Sequence, residues 1–469
     1  MSLEQATLAA QWLFLAYFVV VNTGYLALFG FAFAAVRRHL DARLLEELPR
    51  AYSGLEPPVS MLVPAYNEEA TIATSVRSML QLDYPEFEVI VVNDGSRDGT
   101  MEALRSAFAL VPFAEAYWRR LPVKAVRGIY RSALHPNLRV IDKENGGKAD
   151  ALNAGINASR YPLFCGVDAD SILERASLRR VVAPFLEDPA VIASGGTVRI
   201  ANGCTVRGGF LESVGLPGRL LPLLQIVEYL RAFLFGRMGW SPMNAVLIIS
   251  GAFGLFRKES VVAAGGYRSD TVGEDMELVV RLHRLHRDAG APYRIVFVPD
   301  PICWTEAPES LRVLRSQRTR WQRGLAESLT LNLGLAFSRR GGAPGWVAFP
   351  FMALFEWLGP LVEVAGFALM LAGLAAGLVS GAAFAAFLLL AVGLGMVLSV
   401  CALLLEEISF HIYKRPRELA LLAAAALAEN FGFRQLVALW RLEGLARWAF
   451  GARARWGEMT RSATWQRRA

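Results

Sequence analysis

The chain has 469 residues, 54% of them hydrophobic, with 49 Lys and Arg against 42 Asp and Glu for a net charge of +7. That length leaves room for more than one domain, and the apolar share is high for a soluble protein. The surplus charge is largely arginine beside apolar segments, which suits anionic lipid headgroups; no nucleic-acid-binding motif accompanies it, so nucleic acid is set aside as a partner.

Residues 11–36, QWLFLAYFVVVNTGYLALFGFAFAAV, carry no charge. At about 1.5 Å per residue a helix over them exceeds the roughly 30 Å hydrocarbon core and spans it with tilt. The run is too long for a signal peptide, and Arg37-Arg38 follows it instead of a small-residue cleavage site. Residues 1–48 therefore read as a membrane anchor and connector, with the C-terminal end in the cytoplasm.

From Pro57 to about residue 340 the pattern alternates between strands and helices. VSMLVPAYNEE, EFEVIVVNDGSRDGT, LRVIDKENGGKADALNAG and YPLFCGVDADS each run from an apolar strand into a polar cluster. This predicts an α/β domain on a mostly parallel sheet, with the four clusters at strand C-termini, where open α/β sheets bind ligands. Asp168 and Asp170 close the fourth strand. Burying carboxylates unpaired is costly, so a basic side chain or a metal ion should meet them; an acid pair capping the following helix is the plainer alternative. Residues 111–137 form a basic, aromatic, proline-containing insertion that reads as a surface feature or a contact with membrane, partner or acceptor.

TVGEDMELVVRLHR places Glu274 and Asp275 at a helix start. In LRVLRSQRTRWQRG, Gln317, Arg320 and Trp321 share one helix face, and Arg-rich flanks allow the helix to lie on a membrane surface. The apolar block 345–410 is broken at GLVSGA (377–382) and reads as a helical hairpin, with Glu356 and Glu363 sharing a face at membrane depth, where ionisable groups mark function or lie near the headgroups. Residues 411–469 hold a shorter apolar stretch with Glu429 and Asn430, then an Arg-rich tail. A further span would export that tail against the positive-inside rule, so the stretch reads as interfacial or re-entrant. Cys165, Cys204, Cys303 and Cys401 have no metal-ligand spacing and read as reduced cytosolic thiols.

VPAYNEE, VNDGSRDGT, GGKADALNAG, DADS, GED and QRTRW occur in this order. Together they resemble the membrane-embedded, processive family 2 glycosyltransferases of GT-A fold, which include the poly-N-acetylglucosamine, cellulose, hyaluronan and chitin-oligosaccharide synthases. The resemblance covers roughly residues 57–335. It implies a UDP-sugar donor, with UDP-N-acetylglucosamine the first guess and UDP-glucose the second, and Mg²⁺ or Mn²⁺ on Asp170 with Asp168 nearer the nucleoside. Hard oxygen ligands and a diphosphate leaving group suit such an ion. By the same resemblance Asp94 receives the uracil N3–H, Tyr66 packs on the base with Glu68 beside it, and Lys148, at a glycine-led helix start, meets phosphate. Asp275 is the implied general base, with Glu274 beside it in Gly-Glu-Asp, where the family usually has Thr-Glu-Asp. Gln317, Arg320 and Trp321 match the Gln-x-x-Arg-Trp motif at the acceptor terminus, and Trp304 is a further acceptor-site candidate.

The reading expected is an inverting β-glycosyltransferase in a bacterial-type inner membrane, multi-pass, with its catalytic domain facing the cytoplasm, that polymerises an exported glycan. Single-sugar addition to a lipid acceptor and a catalytically silent scaffold are the alternatives. Three spans are few for a complete channel, so a small membrane subunit or a homo-oligomer is expected as well.

Overall fold

The computed structural model describes residues 3–46, 54–207 and 209–451. Twelve strands occur among them: β1 (Val59–Ala65), β2 (Phe87–Asp94), β3 (Leu110–Pro112), β4 (Val126–Ser132), β5 (Leu138–Lys143), β6 (Leu163–Val167), β7 (Ile172–Leu173), β8 (Val191–Ile200), β9 (Thr205–Arg207), β10 (Phe210–Ser213), β11 (Phe253–Arg257) and β12 (Arg294–Thr305). All but β9 and β10 join one sheet in the order β3-β4-β5-β2-β1-β6-β11-β8-β12-β7.

The four apolar runs legible in the sequence are β1, β2, β5 and β6, and they lie side by side in parallel register. Their continuous Val, Ile and Leu content follows from burial on both faces, as parallel sheets require. Beyond β6 the sheet differs from the mostly parallel expectation. Strand β11 runs antiparallel to both β6 and β8, giving a mixed sheet. Glycines 195 and 254 face each other across β8 and β11, and Ile249 fills the space above them: a Cβ at either glycine would fall within 3 Å of its side chain.

The insertion 111–137 extends the sheet at its far edge, where β4 pairs antiparallel with β5 and β3 with β4. Its loop is tied down: Glu115 accepts from Arg139 Nη1 at 2.5 Å and from Arg160 Nη2 at 2.7 Å, and Asn157 Oδ1 accepts from the Arg120 and Leu121 amides. Trp118, 82% exposed, stands out from this edge.

Among the described residues two helices, Thr7–Asp41 and Gly381–Ser409, are long and apolar enough to cross a membrane; a pair bent by 43°, Pro344–Trp357 with Gly359–Ala375, passes the same test when taken together, as a broken span or a re-entrant loop. They meet through Phe14, Phe18, Met370 and Phe387. The first helix also grips the sheet, through His39 Nε2 and Asp300 Oδ2 at 2.6 Å. Helices Pro416–Ala428 and Phe433–Ala449 are shorter, at 13 and 17 residues; the second lies along Leu311–Leu331 and Gly359–Ala375. The Arg-rich tail from 452 onward lies outside the described residues.

Candidate active site

A cleft of about 1720 Å³ runs from the C-terminal rim of the parallel strands into the helical bundle. Tyr66, Glu68, Asp94, Lys148, Asp168, Asp170, Glu274, Asp275, Gln317, Arg320 and Trp321 all line it. Residues up to 255 positions apart in the chain are thus gathered by four strand ends and two helix faces.

Asp94, at the end of β2, is 2% exposed. Its Oδ1 accepts from Lys143 Nζ at 2.6 Å and from the Gly146 amide at 3.0 Å, and its Oδ2 accepts from the Gly147 amide at 2.7 Å. The carboxylate therefore fixes the glycine loop from below, and most of its acceptor capacity is spent there instead of on an incoming imide. Gly147 has φ +88°, in the left-handed region glycine favours, and a Cβ on Gly146 would sit 2.5 Å from the Asp150 carboxyl. The sequence GGK is thus required by geometry: the loop turns, and the helix Lys148–Ala158 starts at the lysine.

Lys148 Nζ is the cation that meets the first of the DADS acids. It donates to Asp168 Oδ1 and lies 3.8 Å from Glu274 Oε1. Burial pulls its pKa down, but the charges of Asp168, Glu274 and Asp275 more than offset this and hold the ammonium firmly protonated. Asp170 is 7% exposed. The helix after it begins only at Ser177, so neither acid is a helix cap. Among the described residues no group of three or more His, Cys, Asp or Glu is placed to hold a metal ion. Two cleft carboxylates nonetheless fit Mg²⁺ or Mn²⁺, which bind through one or two carboxylates plus substrate phosphates and waters.

Glu274 and Asp275 open the helix Glu274–Ala289. Asp275 is oriented by two backbone amides, Gly251 N to Oδ2 at 3.0 Å and Met276 N to Oδ1 at 2.8 Å. Glu274 behaves differently. Burial raises its pKa; Lys148 opposes the rise and Asp275 adds to it, leaving the carboxyl at about 7.

On the helix Leu311–Leu331, Gln317 is nearly buried and Trp321 is 45% exposed to the cleft. Arg318, between them, was not singled out from sequence. Its guanidinium lies 4.3 Å over the Trp321 ring and donates to Gln317 Oε1 and Glu228 Oε2. Lys143, Tyr229 and Arg237 also escaped the sequence reading; an ionisable residue inside the apolar run LPLLQIVEYLRAFLFGRMGW was the available signal for the last. Trp304 does not join the site. It is 1% exposed, packs with Ile172, Ala201, Cys204 and Val206, and donates its Nε1–H to Glu174 at 2.9 Å, because β12 turns that side chain into the core; its neighbours Thr305 and Glu306 face the cleft.

Past Trp321 the cleft wall becomes a polar clasp between helices. Gln322 donates to the Glu356 and Trp357 carbonyls, which the kink leaves without helical partners, and accepts from Arg441 Nε at 2.9 Å. Arg441 also pairs with the Glu356 carboxylate at 2.8 Å, and Tyr25 donates to the same carboxylate. Arg231 pairs with Glu429, and Glu363 completes the lining.

Known proteins agree with this architecture. The chain is 31% identical over 274 residues to the poly-beta-1,6-N-acetyl-D-glucosamine synthase of Staphylococcus aureus (strain COL) and 29% identical over 272 residues to that of Staphylococcus epidermidis, covering 58% of this chain in each case. These matches span 55% of the relatives' own length. A solved mannosyltransferase from Pyrobaculum calidifontis, in complex with GDP-Man and Mn²⁺, shares the fold with a TM-score of 0.53 at 20% identity, over 90% of this chain and 99% of that one. Residues 57–324 match the model of the glycosyltransferase-like family 2, more than half of the sequence, and the chain belongs to that family of glycosyltransferases.

Proposed function

We propose that the chain is an inverting, processive β-glycosyltransferase that takes a UDP-sugar, UDP-N-acetylglucosamine before UDP-glucose, and feeds a growing polysaccharide toward the membrane. The observation that carries this reading is the continuity of the cleft, from the acids at the strand ends, past Trp321, to Glu356 and Glu363 between candidate membrane helices. The named staphylococcal synthases support the sugar. In this reading residues 57–340 form the catalytic unit, held at the cytoplasmic face of an inner membrane by the anchor and the bent helices.

The acceptor hydroxyl oxygen attacks the anomeric carbon as the bond to the diphosphate oxygen breaks, and the hydroxyl proton passes to Asp275. One direct displacement inverts the centre, giving a β-linkage from an α-linked donor. The two amides on Asp275 hold its carboxylate toward the cleft, so geometry favours it as base. Lys148 is placed to exchange Asp168 for a phosphate oxygen as the donor enters. Asp168 and Asp170 would hold Mg²⁺ or Mn²⁺, which supplies charge neutralisation on the leaving diphosphate. Trp321 offers a flat face to a sugar ring, Arg320 meets diphosphate, and Gln317 with Arg318 fixes the motif's inner face.

A second reading, transfer of a single sugar to a lipid, is favoured by one observation: the two candidate membrane helices and one bent pair among the described residues are few walls for an export path. Completion of the path by a small membrane subunit or a second copy belongs to the first reading. The deciding experiment measures UDP release by the full chain in nanodiscs across a panel of UDP-sugars, with Mn²⁺, Mg²⁺ or chelator, and sizes the product, with Asp275→Asn as control. A metal-dependent polymer ladder supports the first reading. Short, lipid-extractable product supports the second, and turnover that survives Asp275→Asn refutes the assignment of the base.

A further inference from the structure

The cleft has a stacked wall whose two ends are chemically unequal. Tyr229, Phe233 and Arg237 follow at intervals of four residues. The Tyr229 and Phe233 rings stack at 5.4 Å, and the Arg237 guanidinium lies 3.7 Å from the Phe233 centroid. At the other end Tyr229 approaches Trp321 at 6.5 Å, with Arg318 over the indole. All five side chains line the cleft.

Arg318 has an ion pair with Glu228 and a bond to Gln317, so its charge is met although its Nε finds no acceptor. Arg231, Arg434 and Arg441 meet Glu429, Asn430 and Glu356 in turn. Arg237 has no such partner: among the described residues it makes no ion pair, and its Nη1 is shut off from solvent without an acceptor. Burial lowers its pKa to about 10, with Asp275 and Tyr229 opposing the drop, so the group stays cationic at neutral pH. Asp275 acts on it only through its charge: among the described residues no hydrogen bond or ion pair joins the two. Stacking on Phe233 returns about 0.5–2 kcal/mol; the guanidinium is only part-buried, but its Nη1, closed off from water, lacks the acceptor that would replace hydration, at a cost of about 1–3 kcal/mol or more for a charged group. The imbalance is removed when a ligand brings the missing anion.

We propose that Arg237 is an anion-binding residue of the transfer cleft, taking phosphoryl oxygens of a substrate with its two-pronged guanidinium. This rests on the glycosyltransferase reading for its ligand class. Phosphate reaches such a cleft from two sources, the diphosphate of the donor or the phosphate of a lipid, and planar bidentate recognition suits either.

The test uses the full chain in nanodiscs of phosphatidylcholine, with or without phosphatidylglycerol, comparing Arg237→Gln and Arg237→Lys with the parent. If the donor diphosphate is the ligand, Arg237→Gln weakens UDP binding in calorimetry by about tenfold or more, the value of one charge-assisted pair; uridine binding is unchanged and Arg237→Lys recovers part of the loss. If a lipid phosphate is the ligand, UDP affinity holds, and the rise in thermal stability conferred by phosphatidylglycerol on the parent disappears in Arg237→Gln. Labelling of the parent protein by phenylglyoxal, read by peptide mass, keeps the test independent of how the variants fold: Arg237 is protected by pyrophosphate in the first case and by phosphatidylglycerol in the second. Protection by neither, or variants matching the parent in both UDP affinity and lipid response, overturns the proposal. Absence of turnover with every UDP-sugar would instead count against the function proposed above, because the binding and labelling arms need no turnover.

Discussion

Lys143→Met tests whether the glycine loop is held by charge. Lys143 is fully buried; its ammonium donates to Asp94 Oδ1 at 2.6 Å and to the Glu144 carbonyl, and pairs with Asp150 Oδ1 at 2.5 Å. Removing one partner from a buried pair costs about 3–5 kcal/mol, because the other charge stays buried. Here the lower end applies. Asp94 keeps the Gly146 and Gly147 amides, and Asp150 is partly exposed and keeps the Lys124 amide. About 3 kcal/mol, at roughly 2–4 °C per kcal/mol for a domain of this size, lowers Tm by about 6–12 °C. Function falls further, since the loop aims Lys148, and misplacement by about 1 Å costs on the order of 10²-fold in rate. The assay is thermal unfolding of the full chain in detergent alongside UDP affinity and turnover, repeated for Lys143→Met with Asp94→Asn. The double variant removes one of the two stranded charges and regains part of the loss. A Tm drop below about 2 °C with unchanged UDP affinity would refute the argument, and a double variant no better than the sum of the singles would show that Asp94 and Lys143 do not act as a pair.

Asp275→Asn lowers kcat by about 10²–10⁴-fold, the range of a general base, while UDP affinity changes little; equal losses in both would make the residue structural. Glu274, with a folded pKa raised to about 7, binds its proton in the folded state through a pH range where the unfolded chain has released it, so its contribution to stability is present below about pH 4.5 and is lost as pH rises through 7. Departure of Lys148 to the diphosphate raises that pKa further, so UDP binding near pH 7 takes up a proton, visible as buffer-dependent enthalpy in calorimetry and absent in Glu274→Gln. Asp170→Asn abolishes the dependence of UDP affinity on Mn²⁺, checked by titration with and without chelator. Arg441→Gln, which opens the clasp on Gln322 and Glu356, shortens the product more than it slows initial UDP release; a proportional loss of both would assign Arg441 to stability alone.

The sequence carried the parallel half of the sheet because its strands are continuous apolar runs ended by polar clusters, and burial on both faces writes that pattern directly. Strand β11 was not legible: its pairing with β8 depends on Gly195 and Gly254 meeting over Ile249, a contact between residues dozens of positions apart. The rim residues were legible for a related reason. Tyr66, Asp94, Lys148 and Asp168 each follow a strand, so parallel register alone brings them together. What a side chain does on the rim was less so. Asp94 and Asp168 look alike in sequence, yet one is held by a glycine loop and a buried lysine while the other faces the ammonium of Lys148. Trp304 and Trp321 differ in the same way, one turned inward by its strand and one outward by its helix.

Arginine sets the sharpest limit on such reading. The segment from Leu220 to Trp240 shows Arg231 and Arg237 as two equivalent charges in an apolar run. Only the arrival of Glu429, from almost two hundred residues downstream, distinguishes them. Burial makes each costly, and folding repays one of them with a carboxylate of its own chain. Long-range pairing therefore carries information that composition and spacing lack: where a family's motifs locate the reaction, a part-buried cation that meets no carboxylate of its own chain points to charge brought from outside.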